Sequence, residues 1–232
     1  MIYTIIIILI AIVAALFIDW GTLPAKFSKK VKRAAREISP TTPRQPTNGA
    51  DRFPMEDANI PDEPVAVTGN AEVDKLMADA DIHFRKGEMK AAEKLYLQAA
   101  SKDPRCSKAY SRLGIIYLEN GEDWEDAEAA FRQALKFEPE NGYILNNLGL
   151  VLYHQDRYAD AIRNFEMSVR QDEQNASRHA NLGMAYMAMR QYAKAESSFK
   201  KALKLAPNEM EYKDLLAEAM EKKSAHKAML RK

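Results

Sequence analysis

The chain has 232 residues, 47% of them apolar, and a formal net charge of +1 at pH 7. The nearly balanced charge excludes a global basic field for binding nucleic acid, and a single cysteine, Cys106, excludes an internal disulfide framework. Apolar residues dominate the first eighteen positions, whereas residues 39–70 contain six of the ten prolines, so composition alone divides the chain into segments.

Residues 1–20 contain an uncharged apolar run, Ile2–Ile18. A helix of about 17 residues spans roughly 25 Å, and the flanking residues extend it towards the ~30 Å hydrocarbon core of a bilayer. No basic residue precedes the run and no A-x-A site follows it, which disfavours a cleaved signal peptide. The segment is therefore predicted to be an uncleaved transmembrane anchor that contacts the lipid bilayer.

A basic segment, residues 21–38, follows the apolar run. By the positive-inside rule, its cations place the N-terminus outside and the rest of the chain in the cytoplasm. The segment is either a basic amphipathic helix on the anionic membrane surface or an unstructured flank, and both interpretations remain open. The predicted membrane-surface residues are Lys26, Lys29, Lys30, Lys32, Arg33 and Arg36.

Residues 39–70 have neither a helical nor an alternating hydrophobic period. Spaced prolines oppose helix formation, and little aliphatic content remains for a packed core. We predict a disordered, partly extended linker that tethers the remaining chain.

From residue 71 onwards, one pattern recurs every 34 or 35 residues. Alanines precede a set of aromatic residues by four positions, and Leu-Gly pairs recur with the same spacing at 113–114, 148–149 and 182–183. The recurring residues are Ala92, Ala127, Ala161 and Ala195, with Tyr96, Phe131, Phe165 and Phe199.

This pattern resembles the tetratricopeptide repeat (TPR) family, whose 34-residue unit is a pair of antiparallel helices. The resemblance implies an all-α fold, a right-handed α-solenoid at residues 71–225. Its predicted repeats are about 73–106, 107–141, 142–175 and 176–209. A capping helix at 210–225 and a basic tail at 226–232 follow. The first repeat departs from the pattern, because Asp79-Ala80 replaces its Leu-Gly pair.

The sequence contains no catalytic or cofactor-binding motif that we recognise: no phosphate-binding glycine loop, no H-E-x-x-H and no C-x-x-C. Four histidines are scattered without the spacing of metal ligands, and nothing beside Cys106 indicates an activated thiol. We therefore expect no enzyme activity, no cofactor, no metal and no nucleic-acid partner.

In the TPR family, the first helices of the repeats form a concave face that binds a protein or an extended peptide. Asn147 and Asn181 lie one repeat apart, and amides both donate to and accept from a peptide main chain. The alternative is that these asparagines are merely hydrated. The cations used by chaperone-binding members are absent at Ser177 and Asn181, so capture of a C-terminal carboxylate there is not expected. The predicted partner-binding residues are Lys108, Ser111, Arg112, Asn146, Asn147, Leu150, Tyr153, Asn181, Met184 and Met187.

The leading interpretation is a single-pass TPR scaffold or adaptor at the cytoplasmic face of a bacterial inner membrane. Two alternatives remain open, an import-type receptor of an organelle outer membrane and a regulatory subunit of a membrane enzyme complex. Self-association through the first repeat is a further interpretation that the sequence does not test.

Overall fold

A computed structural model of the chain describes residues 69–121 and 123–230. The predicted anchor and basic segment, with all six membrane-surface cations, lie outside the described residues. So do residues 39–68 of the predicted linker.

The described residues form nine α-helices and no strand, which confirms the predicted all-α class. Each of the four repeats contributes a first and a second helix, and a ninth helix follows the last repeat. The helices are α1 Ala71–Arg85, α2 Met89–Lys102, α3 Ser107–Glu119, α4 Trp124–Leu135, α5 Gly142–His154, α6 Tyr158–Gln171, α7 Ala176–Ala188, α8 Tyr192–Leu205 and α9 Met210–Met229.

Each helix packs against the helices before and after it in the chain, which is the arrangement of a solenoid. First helices of successive repeats also touch each other, α3 with α5 and α5 with α7. Within the part of the chain that the structure describes, no comparable contact joins the second helices. First helices are thus closer together than second helices, so the array curves around them. We call the surface formed by α1, α3, α5 and α7 the inner face.

Among the described residues, the turn between the two helices of each repeat contains a residue in the left-handed conformation. Gly87 and Gly121 occupy it in the first two repeats, and Asp156 and Arg190 occupy it in the last two, with φ between +56° and +76°. Glycine adopts this conformation without steric cost, whereas a Cβ atom disfavours it. Because residues 120–123 separate α3 from α4 where three residues suffice elsewhere, this turn takes up the one-residue insertion of the second repeat.

The ninth helix covers the last repeat by packing antiparallel to α8. Tyr212 and Ala219 are buried, Lys223 Nζ lies 2.7 Å from Glu196 Oε2, and the rings of His226 and Tyr192 meet edge to face. Helix α9, which these contacts stabilise, ends at Met229, four residues beyond the predicted end at 225. The first part of the predicted basic tail is therefore helical.

Candidate functional site

The inner face is positioned by close contacts between the helices of each repeat. A Cβ atom added at Gly149 would lie 2.5 Å from Cε1 of Phe165, and the glycines at 114 and 183 face Phe131 and Phe199 in the same way. Side-chain carbons do not approach so closely, so only glycine lets the fully buried aromatic ring rest on the first helix. This contact sets the orientation of the first helix and of the side chains on its other faces.

Asparagine is the N-cap residue of three of the four first helices. Asn70, Asn141 and Asn175 each accept a hydrogen bond from a backbone N–H in the first turn that follows. Such caps satisfy donors that would otherwise lack partners and contribute about 0.5–2 kcal/mol each. Cys106 occupies the equivalent position before α3 and makes no such bond. Our sequence reasoning missed these caps, although an asparagine directly before an apolar helical pattern is a signal that could have identified them.

The ten predicted partner-binding residues are distributed over three first helices, three on α3, four on α5 and three on α7. Lys108, Tyr153 and Met187 are half-buried. The other seven are buried, so each of them exposes little or none of its side chain on the predicted surface. These seven are Ser111, Arg112, Asn146, Asn147, Leu150, Asn181 and Met184.

Two of the three predicted asparagines, Asn146 and Asn181, meet where α5 packs against α7. Nδ2 of Asn181 donates to Oδ1 of Asn146 at 3.0 Å, and Nδ2 of Asn147 donates to the carbonyl of Tyr143 at 3.0 Å. Asn146 and Asn181 have no exposed surface, and Oδ1 of Asn181 is buried without a hydrogen-bond donor among the described residues. The sequence had suggested that Asn147 and Asn181 are equivalent positions. The direct hydrogen bond instead joins Asn181 to Asn146, the residue before Asn147.

A second polar group lies where the first repeat meets α3. Lys108 Nζ is 3.4 Å from Oδ2 of Asp81, and Arg112 Nε is 3.4 Å from Oδ1 of the same carboxylate. Tyr96, from α2, donates its hydroxyl proton to Asp81 at 2.6 Å. Two of the predicted contacts are thus tied to an acidic residue that our sequence reasoning did not single out.

Aromatic rings gather near the turns of the second and third repeats. Trp124 stacks on His154 with 4.5 Å between ring centroids, and Tyr153 meets both His154 and Tyr158 edge to face. This cluster places Tyr153, a predicted contact, beside other large side chains of the kind that often dominate binding energy at interfaces.

Two of the described histidines and Cys106 are held by neighbouring groups or by burial. His83 pairs with Glu88, and His179 Nε2 lies 3.0 Å from the carbonyl oxygen of Glu173, while burial lowers the pKa of His179. Burial raises the pKa of the Cys106 thiol, which disfavours a reactive thiolate. No group of three or more potential metal ligands occurs among the residues that the structure describes.

None of the described helices is both long enough and apolar enough to cross a membrane.

Residues 73–231 match the family model of the cilia and flagella-associated protein 70 C-terminal domain. Type IV pilus assembly protein PilF of Pseudomonas aeruginosa is 29% identical over 141 residues, which cover 58% of this chain and 55% of PilF. Mouse protein O-mannosyl-transferase TMTC1 is 28% identical over 145 residues, 61% of this chain but 15% of that protein. The chain thus spans about half the length of the first relative and much less of the second.

Solved structures support the same fold. A MamA structure from Desulfovibrio magneticus RS-1 superposes with a TM-score of 0.59 at 23% identity, covering 70% of this chain and 97% of that chain. At this level of identity, the likeness concerns the fold alone.

Proposed function

The chain belongs to the family of the cilia and flagella-associated protein 70 C-terminal domain, a TPR family, and we propose that it is a scaffold that binds another protein along its inner face. It acts by binding rather than by catalysis. Although TMTC1 is named a transferase, this chain matches only 15% of it, so that activity is not carried over.

The observation that supports this proposal is the bonded pair of amides, Asn146 and Asn181, between α5 and α7. A buried acceptor without a donor costs about 1–3 kcal/mol, and Oδ1 of Asn181 is such an acceptor among the described residues. A partner main chain that donates an N–H group to this oxygen would remove that cost. The amide oxygen accepts a hydrogen bond from a backbone N–H group, which peptides of any sequence carry. The partner is therefore an extended segment, and contacts other than this one select its sequence.

Access to this acceptor requires the neighbouring side chains to move. Met184 is buried and Met187 is half-buried on the same helix, and the unbranched methionine side chain changes rotamer readily. Leu150, from α5, adds an apolar wall, while Tyr153 lies partly exposed in the aromatic cluster. Apolar side chains that can change rotamer, around amides that are held in place, suit a peptide that binds through its main chain.

We further propose that residues 1–20 anchor the scaffold in a membrane, with the repeats on the cytoplasmic side of a bacterial inner membrane. The support is the uncharged run Ile2–Ile18 and the basic segment that follows it. Reporter fusions at the two termini test this orientation. A C-terminal reporter that is active outside the cell would overturn it, without affecting the binding proposal.

In-cell crosslinking of the full chain tests the inner face as the binding surface. Partners are captured with the wild type and with the Asn147→Ala and Asn181→Ala variants, and we expect both variants to lose most of the captured partner. Asn164→Ala is the matched control, because Asn164 on second helix α6 donates to the carbonyl four residues before it, as Asn147 does. Unchanged capture by both inner-face variants would refute the assignment, and equal loss in the control would indicate a general effect on folding.

A further inference from the structure

Two Asn-Gly pairs lie among the described residues, and their surroundings differ. Asn120-Gly121 lies in the turn that follows α3, and Asn141-Gly142 lies at the start of α5. In such a pair, the backbone nitrogen of the glycine can attack the side-chain amide carbon of the asparagine, because glycine has no Cβ atom and turns freely. The folded structure therefore determines which of the two pairs can react.

The pair Asn120-Gly121 is open to this attack. Both residues are exposed, and no hydrogen bond to the side chain of Asn120 occurs among the described residues. The Gly121 nitrogen donates to the carbonyl of Leu118 at 3.1 Å, in the last turn of α3, and beyond its chain neighbours no described atom lies within 4 Å of the position that a Cβ would take. The glycine nitrogen thus has to leave one hydrogen bond at a helix end, where helices open most easily.

The pair Asn141-Gly142 is held in place. Oδ1 of Asn141 accepts hydrogen bonds from two backbone N–H groups of α5, at 3.1 and 3.2 Å, and Nδ2 donates to Glu138 at 2.6 Å. Gly142 is buried, and a Cβ atom added there would lie 2.5 Å from Nη1 of Arg178. Neither the amide carbon nor the glycine nitrogen can turn towards the other without breaking these contacts.

We propose that Asn120 is a site of spontaneous deamidation in the folded protein, and that the fold protects Asn141 from the same reaction. A bond forms between the Gly121 nitrogen and Cγ of Asn120, and the bond between Cγ and Nδ2 breaks. Ammonia leaves with the proton from the glycine nitrogen, and a cyclic imide remains. Water from the solvent then opens either carbonyl of the imide, which gives aspartate or isoaspartate.

The product carries a negative charge at the C-terminal end of α3. Asn120 is the C-cap residue of this helix, and the last carbonyl groups of a helix carry partial negative charge, so a carboxylate there is unfavourable. Glu119 and Asp123 bring further negative charges to the same turn. Deamidation therefore weakens the end of a helix that forms part of the inner face, whether or not a partner binds there.

Mass spectrometry of tryptic peptides measures the reaction in the purified full chain. Cleavage after Arg112 and Arg132 gives the peptide 113–132, in which Asn120 is the only residue with a side-chain amide. The peptide 137–157 contains Asn141, and fragmentation separates it from the other amides. The chain is incubated at mildly alkaline pH, once folded and once in guanidinium chloride, and the reaction of the denatured chain sets the incubation time.

We expect Asn120 to react at least about tenfold faster than Asn141 in the folded chain, because the cap at Asn141 must first lose three hydrogen bonds. In the denatured chain the two rates should become similar, since the two pairs then differ only in their neighbours. Asn120→Gln is the matched control and should show no conversion, because its longer side chain forms the cyclic imide much less readily. Equal rates in the folded chain, or no conversion of Asn120 within the incubation time, would overturn the proposal.

Asn120→Asp tests the effect of the new charge. Its thermal unfolding midpoint should lie about 1–3 °C below that of Asn120→Gln, which keeps the amide at the helix end. Equal midpoints of the two variants would refute the weakening of α3.

Discussion

The first repeat and the three later repeats form the same helix pair with different residues at the contact. In the later repeats, a glycine faces a buried phenylalanine ring at a distance that excludes a Cβ atom. The first repeat has Ala80 at this position and Tyr96 in place of the phenylalanine, and both are fully buried. The Tyr96 ring cannot occupy the same place against its first helix, and its hydroxyl is bound instead to Asp81. The contact therefore tolerates a methyl group when a polar bond holds the displaced ring.

A second difference concerns a glutamate near the start of the second helix in the first, second and fourth repeats, which links the repeat to the element that follows; Ile162 occupies this position in the third repeat. Glu93 accepts a hydrogen bond from the hydroxyl of Tyr117, whereas Glu128 and Glu196 bind the cations Arg157 and Lys223. At this position the first repeat binds a neutral hydroxyl donor, whereas the second and fourth repeats form ion pairs. The third repeat is linked to α7 by the hydroxyl of Tyr186, which donates to Glu166 at 2.6 Å. This difference makes separate predictions for the two regions.

The largest expected effect is that of Gly149→Ala in the third repeat. The new Cβ atom would lie 2.5 Å from a rigid, fully buried ring, and overpacking of this kind costs about 3 kcal/mol, more than the helix propensity gained. Denaturant unfolding of the full chain measures the change. The reverse substitution in the first repeat, Ala80→Gly, should cost only about 1 kcal/mol. A stabilised Gly149→Ala variant would show that the two contacts are equivalent after all.

Tyr96→Phe removes the polar bond that distinguishes the first repeat. We expect a loss of about 1.5 kcal/mol, the contribution of a hydrogen bond to a charged group, because Asp81 loses its closest donor. The same unfolding measurement applies, with Tyr158→Phe as the control because that hydroxyl bonds to exposed Asp156 at a turn. If Tyr96→Phe were neutral, the ring would be held by packing alone.

Arg190→Gly should stabilise the protein by about 0.5–1 kcal/mol. Arg190 is an exposed turn residue with φ +56°, and the glycine that occupies the equivalent position in the first repeat avoids the cost of the Cβ atom. Conversely, Gly87→Ala should destabilise the first repeat by about 1 kcal/mol. Changes of the same sign in both variants would rule out backbone conformation as the cause.

The smallest expected effect is a pH dependence at the other end of the array. Hydrogen bonds from Lys200 and Lys223 lower the pKa of Glu196 from its ordinary value of 4.5 to about 2. Because the pKa is lower in the folded protein, this carboxylate contributes stability above pH 4.5, and that contribution is lost as the pH falls towards 2. We expect the stability difference between wild type and Lys223→Gln to shrink over this range. Lys227→Gln, one turn further along α9, is the control, and a difference independent of pH would contradict the ion pair.

The sequence predicted the helical array well, because its repeated pattern directly encodes the closest contacts. Each glycine at a helix crossing has its aromatic partner sixteen or seventeen residues later, so the helix pair can be recognised without coordinates. The binding face was predicted only as a set of positions. Burial of Arg112 and the bond between Asn146 and Asn181 depend on how neighbouring repeats are placed, which the period alone does not specify.

The period, the helix pairs and the apolar residues that join them can be deduced from the amino-acid sequence. These features follow from contacts within one repeat, which recur at fixed spacing. The position of Asp81 between Tyr96, Lys108 and Arg112 depends instead on the packing of helices from two repeats. The extension of α9 to Met229 depends likewise on its packing along α8. Those arrangements bring together residues from different helices, which the contacts within one repeat do not specify.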